Sequence, residues 1–113
     1  LNEIKEAGGI RYISAVLPLP AATVKDIVFM LRQEQPENLL VVIGSIQNER
    51  PQLTISLSAD LVEKGLNAGK IVGQAAREMQ GGGGGQAHFA QAGGKNPAGI
   101  KAAIDKVFEI IKG

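Results

Sequence analysis

Apolar residues between the prolines at positions 20 and 36 recur with the spacing of an α-helix. The residue before a proline is disfavoured in a helix, whereas proline itself is tolerated in the first turn, so the helix should begin after Pro20 and end before Pro36. The spacing i, i+3, i+4 and i+7 places one apolar stripe along it. That stripe consists of Val24, Ile27, Val28 and Leu31.

Three other segments show the patterns of β-strands. Ile10–Val16 is rich in strand-forming residues. Leu39–Ile43 is uninterrupted apolar, which is typical of a central strand covered on both faces. Leu53–Leu57 alternates apolar and polar residues, which predicts one buried and one wet face. The turn residues of Asn48–Pro51 between the last two segments predict a hairpin.

The second half of the chain predicts three further helices and one strand. A short helix over Ala59–Lys64 precedes a longer one over Ala68–Met79. A short strand is predicted over Ala87–Ala92. The final helix should be capped by Asn96, with Pro97 in its first position.

These elements follow one another in the order β-α-β-β-α-β-α, after a segment Leu1–Ala7 that we interpret as the tail of a helix ending at Gly8-Gly9. The first β-α-β unit should pair its strands in parallel. We therefore predict an α/β fold, α+β-like in its arrangement, with a mixed, roughly four-stranded sheet and helices packed on it.

Composition excludes several classes of protein and site. The chain has no cysteine, which is compatible with a reducing cytosol and predicts a cytoplasmic location. No apolar run reaches the roughly 20 residues of a membrane helix. His88 is the single histidine, so a zinc site is not expected. Pairing it with Ser14 or Ser45 as a nucleophile is conceivable, but no spacing supports it, and we expect no catalysis here.

Positive charge gathers around the glycine-rich segment in the second half. From position 64 to position 101 the chain carries a single acid, Glu78, and five basic residues. Such a local excess favours an anionic partner, although an ordinary solvated face would look the same. The basic residues are Lys64, Lys70, Arg77, Lys95 and Lys101.

Two glycine clusters, Gly81–Gly85 and Gly93-Gly94, frame the predicted short strand. Glycine loops can expose successive N–H groups as an anion-binding nest. The second cluster adjoins a helix N-terminus with Lys95 beside it, so a phosphate could lie between the clusters. The alternative is a flexible linker. The run matches neither of the common nucleotide-binding glycine motifs.

The stretch "GGGGGQAHFAQAGGKNP" resembles the glycine-rich signature near the C-terminus of alanyl-tRNA synthetases. The matching positions are Gly83–Gly85 and Ala90–Gly94. The preceding "SADLVEKGLNAGKIVGQAAREM" is similar to the family's lead-in of a short helix, a turn and a longer helix. The resemblance covers nearly the whole chain.

That resemblance implies a non-catalytic, DHH-associated type of C-terminal domain that binds the outer corner of tRNA and helps bring the aminoacylation and editing sites to one tRNA. Residues 1–9 would be the end of a helical linker and residues 10–113 the globular tRNA-binding domain. The start at Leu1 predicts that the chain is a piece of a longer protein. The ATP, Mg and Zn sites of the parent ligase would lie outside it, with no cofactor in this fragment. The implied partner is alanine-specific tRNA, with DNA or other RNA and a homodimer as further possibilities.

The chain departs from the family at three positions. The family usually has Arg at the position of Gln86, often Asp at that of His88, and frequently Lys or Arg at that of Gly82. Nearby basic residues are therefore expected to supply phosphate contacts. With one Tyr and three Phe, backbone recognition of a folded RNA is favoured over base stacking. The predicted nucleic-acid-binding residues are Lys70, Arg77, Gly82, Gly83, Gly84, Gly85, Gln86, His88, Gln91, Gly93, Gly94, Lys95 and Lys101.

Two other readings remain open from the sequence. One is an oligonucleotide-binding subdomain of a DHH-family phosphoesterase, although those proteins usually show His directly after three glycines, where this chain has Gln86. The other is an oligomerisation module that uses the first residues or the apolar helix faces.

Overall fold

The computed structural model describes residues 4–7 and 9–112 of the chain. Strands and helices alternate over this range, and two 3₁₀ turns, Ala76–Met79 and Pro97–Gly99, continue or precede a helix. The elements are β1 (Lys5–Ala7), β2 (Ile10–Leu17), α1 (Ala21–Glu34), β3 (Leu39–Gln47), β4 (Arg50–Leu57), α2 (Ala59–Glu63), α3 (Ala68–Ala75), β5 (Gly82–Gly85), β6 (Phe89–Gly93) and α4 (Ile100–Lys112).

The strands form one mixed sheet in the order β1-β2-β3-β4-β6-β5. Strands β2 and β3, joined through α1, are parallel, and the other neighbouring pairs are antiparallel. The predicted parallel β-α-β unit and the β3–β4 hairpin are confirmed. The predicted fold class is confirmed as well, but the described residues contain six strands rather than four.

Both additional strands lie at the edges of the sheet. Lys5–Ala7 pairs with the start of β2 and forms β1, so the prediction of a helix over Leu1–Ala7 is wrong for these three residues. Residues 1–3 and 8 lie outside the described residues, and the linker role of residues 1–9 stays a prediction. The second edge strand, β5, is formed by the glycine run itself.

Helices cover the sheet on two sides. Helix α1 packs Val24, Val28 and Leu31 against the strands β2 and β3 on one face. Helices α3 and α4 pack on the other face and form the larger core with β3, β4 and β6. We call these the α1 face and the α3/α4 face. Burial on both faces of β3 explains its continuous apolar run.

Strand β4 is buried on both faces, which corrects the prediction of one wet face. Thr54 and Ser56 are fully buried. The hydroxyl of Thr54 accepts a hydrogen bond from Gln91 Nε2 at 3.2 Å. The alternation predicted the two faces correctly, but it could not show that α1 and a neighbouring polar side chain cover the polar one.

The β3–β4 hairpin turns on two residues in the left-handed region. Asn48 and Glu49 have φ values of 53° and 66°, the conformation that two-residue hairpins require to match the twist of the strands. Arg50 follows directly and is exposed at the start of β4. The turn therefore fixes a basic side chain at one end of the sheet.

The predicted helix over Ala68–Met79 is shorter than expected. Helix α3 ends at Ala75, and a 3₁₀ turn continues to Met79. The cap of the final helix is confirmed, because Asn96 Oδ1 accepts a hydrogen bond from Ala98 N at 3.2 Å and Pro97 opens the 3₁₀ turn that leads into α4.

In the described residues, no helix combines the length and the hydropathy needed to cross a membrane.

Asp60 joins the start of α2 to the start of β3. Both of its carboxylate oxygens accept a hydrogen bond from Asn38 N, at 3.0 Å each. Hydrogen bonds from Ser58 and Asn38 lower the pKa of Asp60 from its ordinary value of 3.8. These bonds stabilise the ionised form, which exists in the folded state at lower pH than in the unfolded chain.

This contribution to stability should be lost in acid. It is present in full above about pH 4, near the unfolded pKa, and falls as the pH drops through the lower folded pKa. Urea unfolding at several pH values measures this contribution. Below about pH 4 the free energy of unfolding should decrease less with falling pH in Asp60→Asn than in the wild-type chain. Glu63→Gln removes an exposed carboxylate of the same helix and is the matched control, because it leaves the hydrogen bonds between Asp60 and Asn38 in place. An Asp60→Asn profile identical to wild type would contradict the assignment.

Candidate nucleic-acid interface

The glycine run is a strand rather than a flexible loop. Gly82–Gly85 pair antiparallel with β6, from Gly82 opposite Gly93 to Gly85 opposite Ala90. At its end, Gln86 N donates to Phe89 O at 2.9 Å, and before it Gly81 N donates to Ala76 O at 2.9 Å. Alternation along the ladder then points the hydrogen-bonding groups of Gly82 and Gly84 toward β6. The amides of Gly82 and Gly84 are therefore engaged in the sheet and are not available for the predicted anion-binding nest, whereas the N–H groups of Gly83 and Gly85 point away from β6.

The amides of the second cluster are also engaged within the domain. Gly94 N donates to Pro51 O at 3.0 Å, and Lys95 N and Asn96 N both donate to Met79 O at 3.0 Å. These bonds hold the second cluster against the 3₁₀ turn that ends at Met79. The N–H groups of Gly94, Lys95 and Asn96 are therefore not free to form the predicted phosphate site between the two clusters.

Every second glycine of β5 leaves no room for a side chain. A Cβ on Gly83 would lie 2.6 Å from Ala92 Cα, and one on Gly85 would lie 2.7 Å from Phe89 O. A Cβ on Gly82 or Gly84 would meet nothing within 4 Å. The glycines at positions 83 and 85 are thus needed by the packing against β6, whereas those at 82 and 84 leave one surface bare.

Helix α3 covers the outer edge of the glycine strand. Gly69 and Gly73 are four residues apart and share one side of the helix. A Cβ on Gly69 would lie 2.9 Å from Gly85 O, and one on Gly73 would lie 3.5 Å from Gly83 O. The absent side chain of Gly69 lets the helix approach the strand backbone closely, whereas a Cβ on Gly73 would make an ordinary van der Waals contact. The helix protects an edge that would otherwise be open to other strands.

The bare surface lies on the α1 face of the sheet. The cross-strand register places Gly82 beside Gly93 and Gly84 beside Gln91. Gly82, Gly84 and Gly93 are exposed, and a Cβ on any of them would meet nothing within 4 Å. We call these three residues the glycine platform. It is a flat piece of sheet on which another backbone can lie without meeting a side chain.

An open cleft of about 870 Å³ borders the platform at one end. It brings the two glycine clusters together with the β3–β4 hairpin. Two exposed basic residues, Arg50 and Lys95, and one acid, Glu49, line it. We call it the hairpin cleft. Its residues are Asn48, Glu49, Arg50, Pro51, Gln52, Gln80, Gly81, Gly82, Gly93, Gly94 and Lys95.

A groove of about 460 Å³ borders the other end of the platform. Lys25 and Phe29 of α1 form one wall, and the β5–β6 hairpin forms the remainder. We call it the aromatic groove. Its residues are Lys25, Phe29, Gly84, Gly85, Gln86, His88, Phe89, Ala90 and Gln91. The platform thus has a positively charged side chain at each end.

Comparison with known families accounts for nearly all of the chain. The family pattern described as "DHHA1 domain" matches residues 9–113. The chain belongs to the DHHA1 domain family.

Relatives of this DHHA1 domain are alanine–tRNA ligases. The chain is 54% identical over 110 residues to the enzyme of Bacteroides thetaiotaomicron and 51% identical over 110 residues to that of Bacteroides fragilis. Each alignment covers 97% of this chain and 13% of the relative, so the chain spans about an eighth of the length of the curated relatives it matches.

A solved structure has the same fold. The C-Ala domain of Aquifex aeolicus alanyl-tRNA synthetase aligns with a TM-score of 0.87 at 26% identity, covering 98% of this chain and 99% of that one. The resemblance to the C-terminal domain of alanyl-tRNA synthetases is therefore confirmed.

The DHHA1 fold brings part of the predicted site together. Ten of the thirteen predicted residues lie in β5, in β6 or directly beside them, and most of these line one of the two clefts. The amide of Gln91 lies between β4 and the start of α1, where Nε2 also donates to Ala21 O at 3.4 Å. Gln86 and His88 line the aromatic groove.

Three of the predicted basic residues lie elsewhere. Lys70 and Arg77 are exposed on α3 and the 3₁₀ turn that follows it, and Lys101 is exposed on the first turn of α4. None of the three lines the hairpin cleft or the aromatic groove. They belong to elements that pack on the α3/α4 face, and their part in binding stays a prediction.

Sequence reasoning missed Lys25, Phe29 and Arg50. Lys25 and Phe29 are four residues apart on α1, away from the fully buried positions of its stripe. Arg50 ends the β-hairpin turn. The sequence shows a basic and an aromatic residue at the helical i, i+4 spacing. Only the register of β4, β6 and β5 shows which end of the glycine platform they border.

The described residues contain no group of three His, Cys, Asp or Glu that could hold a metal ion.

Proposed function

We propose that this DHHA1 domain is the tRNA-binding C-terminal domain of an alanine–tRNA ligase, which contacts the outer corner of tRNA and helps join aminoacylation and editing. The observation that carries the proposal is the glycine platform with basic side chains at both ends. The similarity to the C-Ala domain and to alanine–tRNA ligases supports it. In this proposal the parent enzyme is cytoplasmic, and its ATP, Mg and Zn are bound outside this chain.

The platform suits a sugar-phosphate backbone for two physical reasons. A ribose or phosphate can approach the flat backbone of Gly82 and Gly84 because no Cβ intervenes. Lys25 and the Arg50–Lys95 pair can neutralise phosphates at the two ends, which supplies the salt-sensitive part of the affinity. Recognition of shape and backbone is the usual way in which proteins bind folded RNA.

Titration of the 113-residue chain with an alanine-tRNA transcript at several salt concentrations tests the proposal. We expect binding that weakens with salt, because Lys and Arg release counterions from the phosphates they contact. A transcript of another tRNA and a DNA duplex of equal length measure the selectivity. The absence of binding at low salt, or an affinity that does not change with salt concentration, would contradict the proposal.

Removing the charges of the hairpin cleft should reduce the salt dependence. Arg50→Gln and Lys95→Gln should each lower the slope of log affinity against log salt by about one unit, since each removes one phosphate contact. Lys101→Gln, an equal change on the α3/α4 face, is the matched control and should have a smaller effect. If Lys101→Gln lowered the salt slope as much as Lys95→Gln does, the result would contradict an interface at the hairpin cleft and indicate one on the α3/α4 face.

A further inference from the structure

Two of the three phenylalanines of the chain meet at the edge of the glycine platform. Phe29 of α1 and Phe89 of β6 have ring centroids 5.2 Å apart, with the rings tilted by 37°. Phe29 is 37% exposed, so part of its ring is open to solvent. Its partner Phe89 is partly buried against the core under α1. The pair therefore has one anchored ring and one ring open to the aromatic groove.

Lys25 lies over both rings. Its Nζ is 5.6 Å from the centroid of Phe29 and 5.9 Å from that of Phe89. At an exposed site such a cation–π contact is weak, so an arriving flat ring can displace the ammonium. The lysine stem is long enough to keep its charge near the groove while the ring face is freed.

The floor of the groove is flat because it is made of glycine. Gly84 and Gly85 of β5 line the groove beside the two rings. Gln86 and His88, at the β5–β6 hairpin, supply polar groups along its rim. A space of about 460 Å³ bounded by a ring, a bare backbone and a few polar side chains has the features of a site for a planar, polar ligand.

We propose that the aromatic groove binds one unstacked nucleobase of the RNA whose backbone lies on the glycine platform, an inference that rests on the proposed function. The base stacks on the exposed ring of Phe29 and replaces the Lys25 ammonium, which then pairs with the adjoining phosphate. Gln86 and His88 lie at the rim, where they can donate or accept hydrogen bonds at the base edge. This differs from the expectation that the domain recognises RNA by backbone alone.

Stacking and charge contacts respond differently to salt, and this separates the two roles. Phe29→Ala should weaken binding of the alanine-tRNA transcript by about tenfold with an unchanged salt slope, because base stacking on an aromatic side chain releases no counterion. Lys25→Gln should lower the slope by about one unit. Phe29→Tyr keeps a ring and should bind within about twofold of wild type. Met30→Ala, at the more exposed neighbouring position on α1, is the matched control and should bind like wild type.

A direct optical measurement completes the experiment. The chain contains no tryptophan, so Phe29→Trp introduces a single tryptophan as a reporter in the groove. The transcript should quench its emission, while polyphosphate, a polyanion without bases, should not. Equal quenching by both, or a Phe29→Ala variant that binds like wild type, would overturn the nucleobase site and leave backbone binding intact. Failure of the wild-type chain to bind the transcript at low salt would overturn the proposed function itself.

Discussion

Replacing Gly83 by alanine is expected to destabilise the domain by about 3 kcal/mol, the upper part of the range for overpacked positions. The new Cβ would lie 2.6 Å from Ala92 Cα and 2.7 Å from Gln91 O, within the backbone of the paired strand. Backbone cannot rotate away as a side chain can, so β5 must separate from β6 or move as a whole. Urea unfolding followed by circular dichroism measures the change in the free energy of unfolding.

Gly84→Ala is the matched control for that variant. It is the next residue of the same strand, and its Cβ would meet nothing within 4 Å. The substitution also restricts the unfolded chain, which favours the folded state by a few tenths of a kcal/mol to about 1 kcal/mol where the backbone conformation is compatible. We therefore expect a free energy of unfolding equal to or slightly above that of wild type. Equal destabilisation by both alanines would show that β5 is not paired in the register described.

Replacing Gly84 by valine should weaken binding of the alanine-tRNA transcript about tenfold, which corresponds to 1.4 kcal/mol. Valine is favoured in strands and has open space at this position, so the fold should be retained. Its branched side chain would stand up from the glycine platform and hold a sugar-phosphate backbone away from the sheet. Because no charge changes, the salt slope should stay that of the wild-type chain.

A graded series makes this result specific. Gly84→Ala should weaken binding less than Gly84→Val, since it raises the platform by one methyl group. Ala102→Val adds bulk at an exposed position on α4, on the opposite side of the sheet, and should leave binding unchanged. A Gly84→Val variant that binds like wild type would remove the platform from the proposed interface.

The elements with strong periodicity were predictable from the sequence. The apolar stripe that contains Val24 and Val28 and the run Leu39–Ile43 each bury a continuous surface, and both formed the predicted element. Periodicity works there because the residues that define it are the ones that pack. The segment Lys5–Ala7 has no such pattern, and its strand depends on pairing with β2, which local sequence does not encode.

The glycine run was the hardest segment to interpret from the sequence. Glycine is unfavourable in strands, so five in succession indicated a loop. The strand forms because β6 pairs with one side of it, while the absent side chain of Gly69 lets helix α3 cover the other. These contacts are tertiary, and they override the local preference of glycine.

The residues of the candidate site were likewise predictable only in part from the sequence. The glycine clusters and Lys95 were found from their motif and do border one cleft. Lys25 and Arg50 are distant in sequence from the glycines, and the sheet register brings them to its two ends. Lys70, which is close in sequence, lies on an element that packs on the α3/α4 face.

The sequence by itself determined the fold class, the parallel β-α-β unit and the family resemblance, because each depends on residue types at short, fixed spacings. Only the tertiary structure decided that the glycines form a flat edge strand, which of its faces is bare and which charges flank it. Those properties arise from strand register and helix packing, where residues far apart in the chain meet. The interaction energies of such contacts are absent from any local pattern.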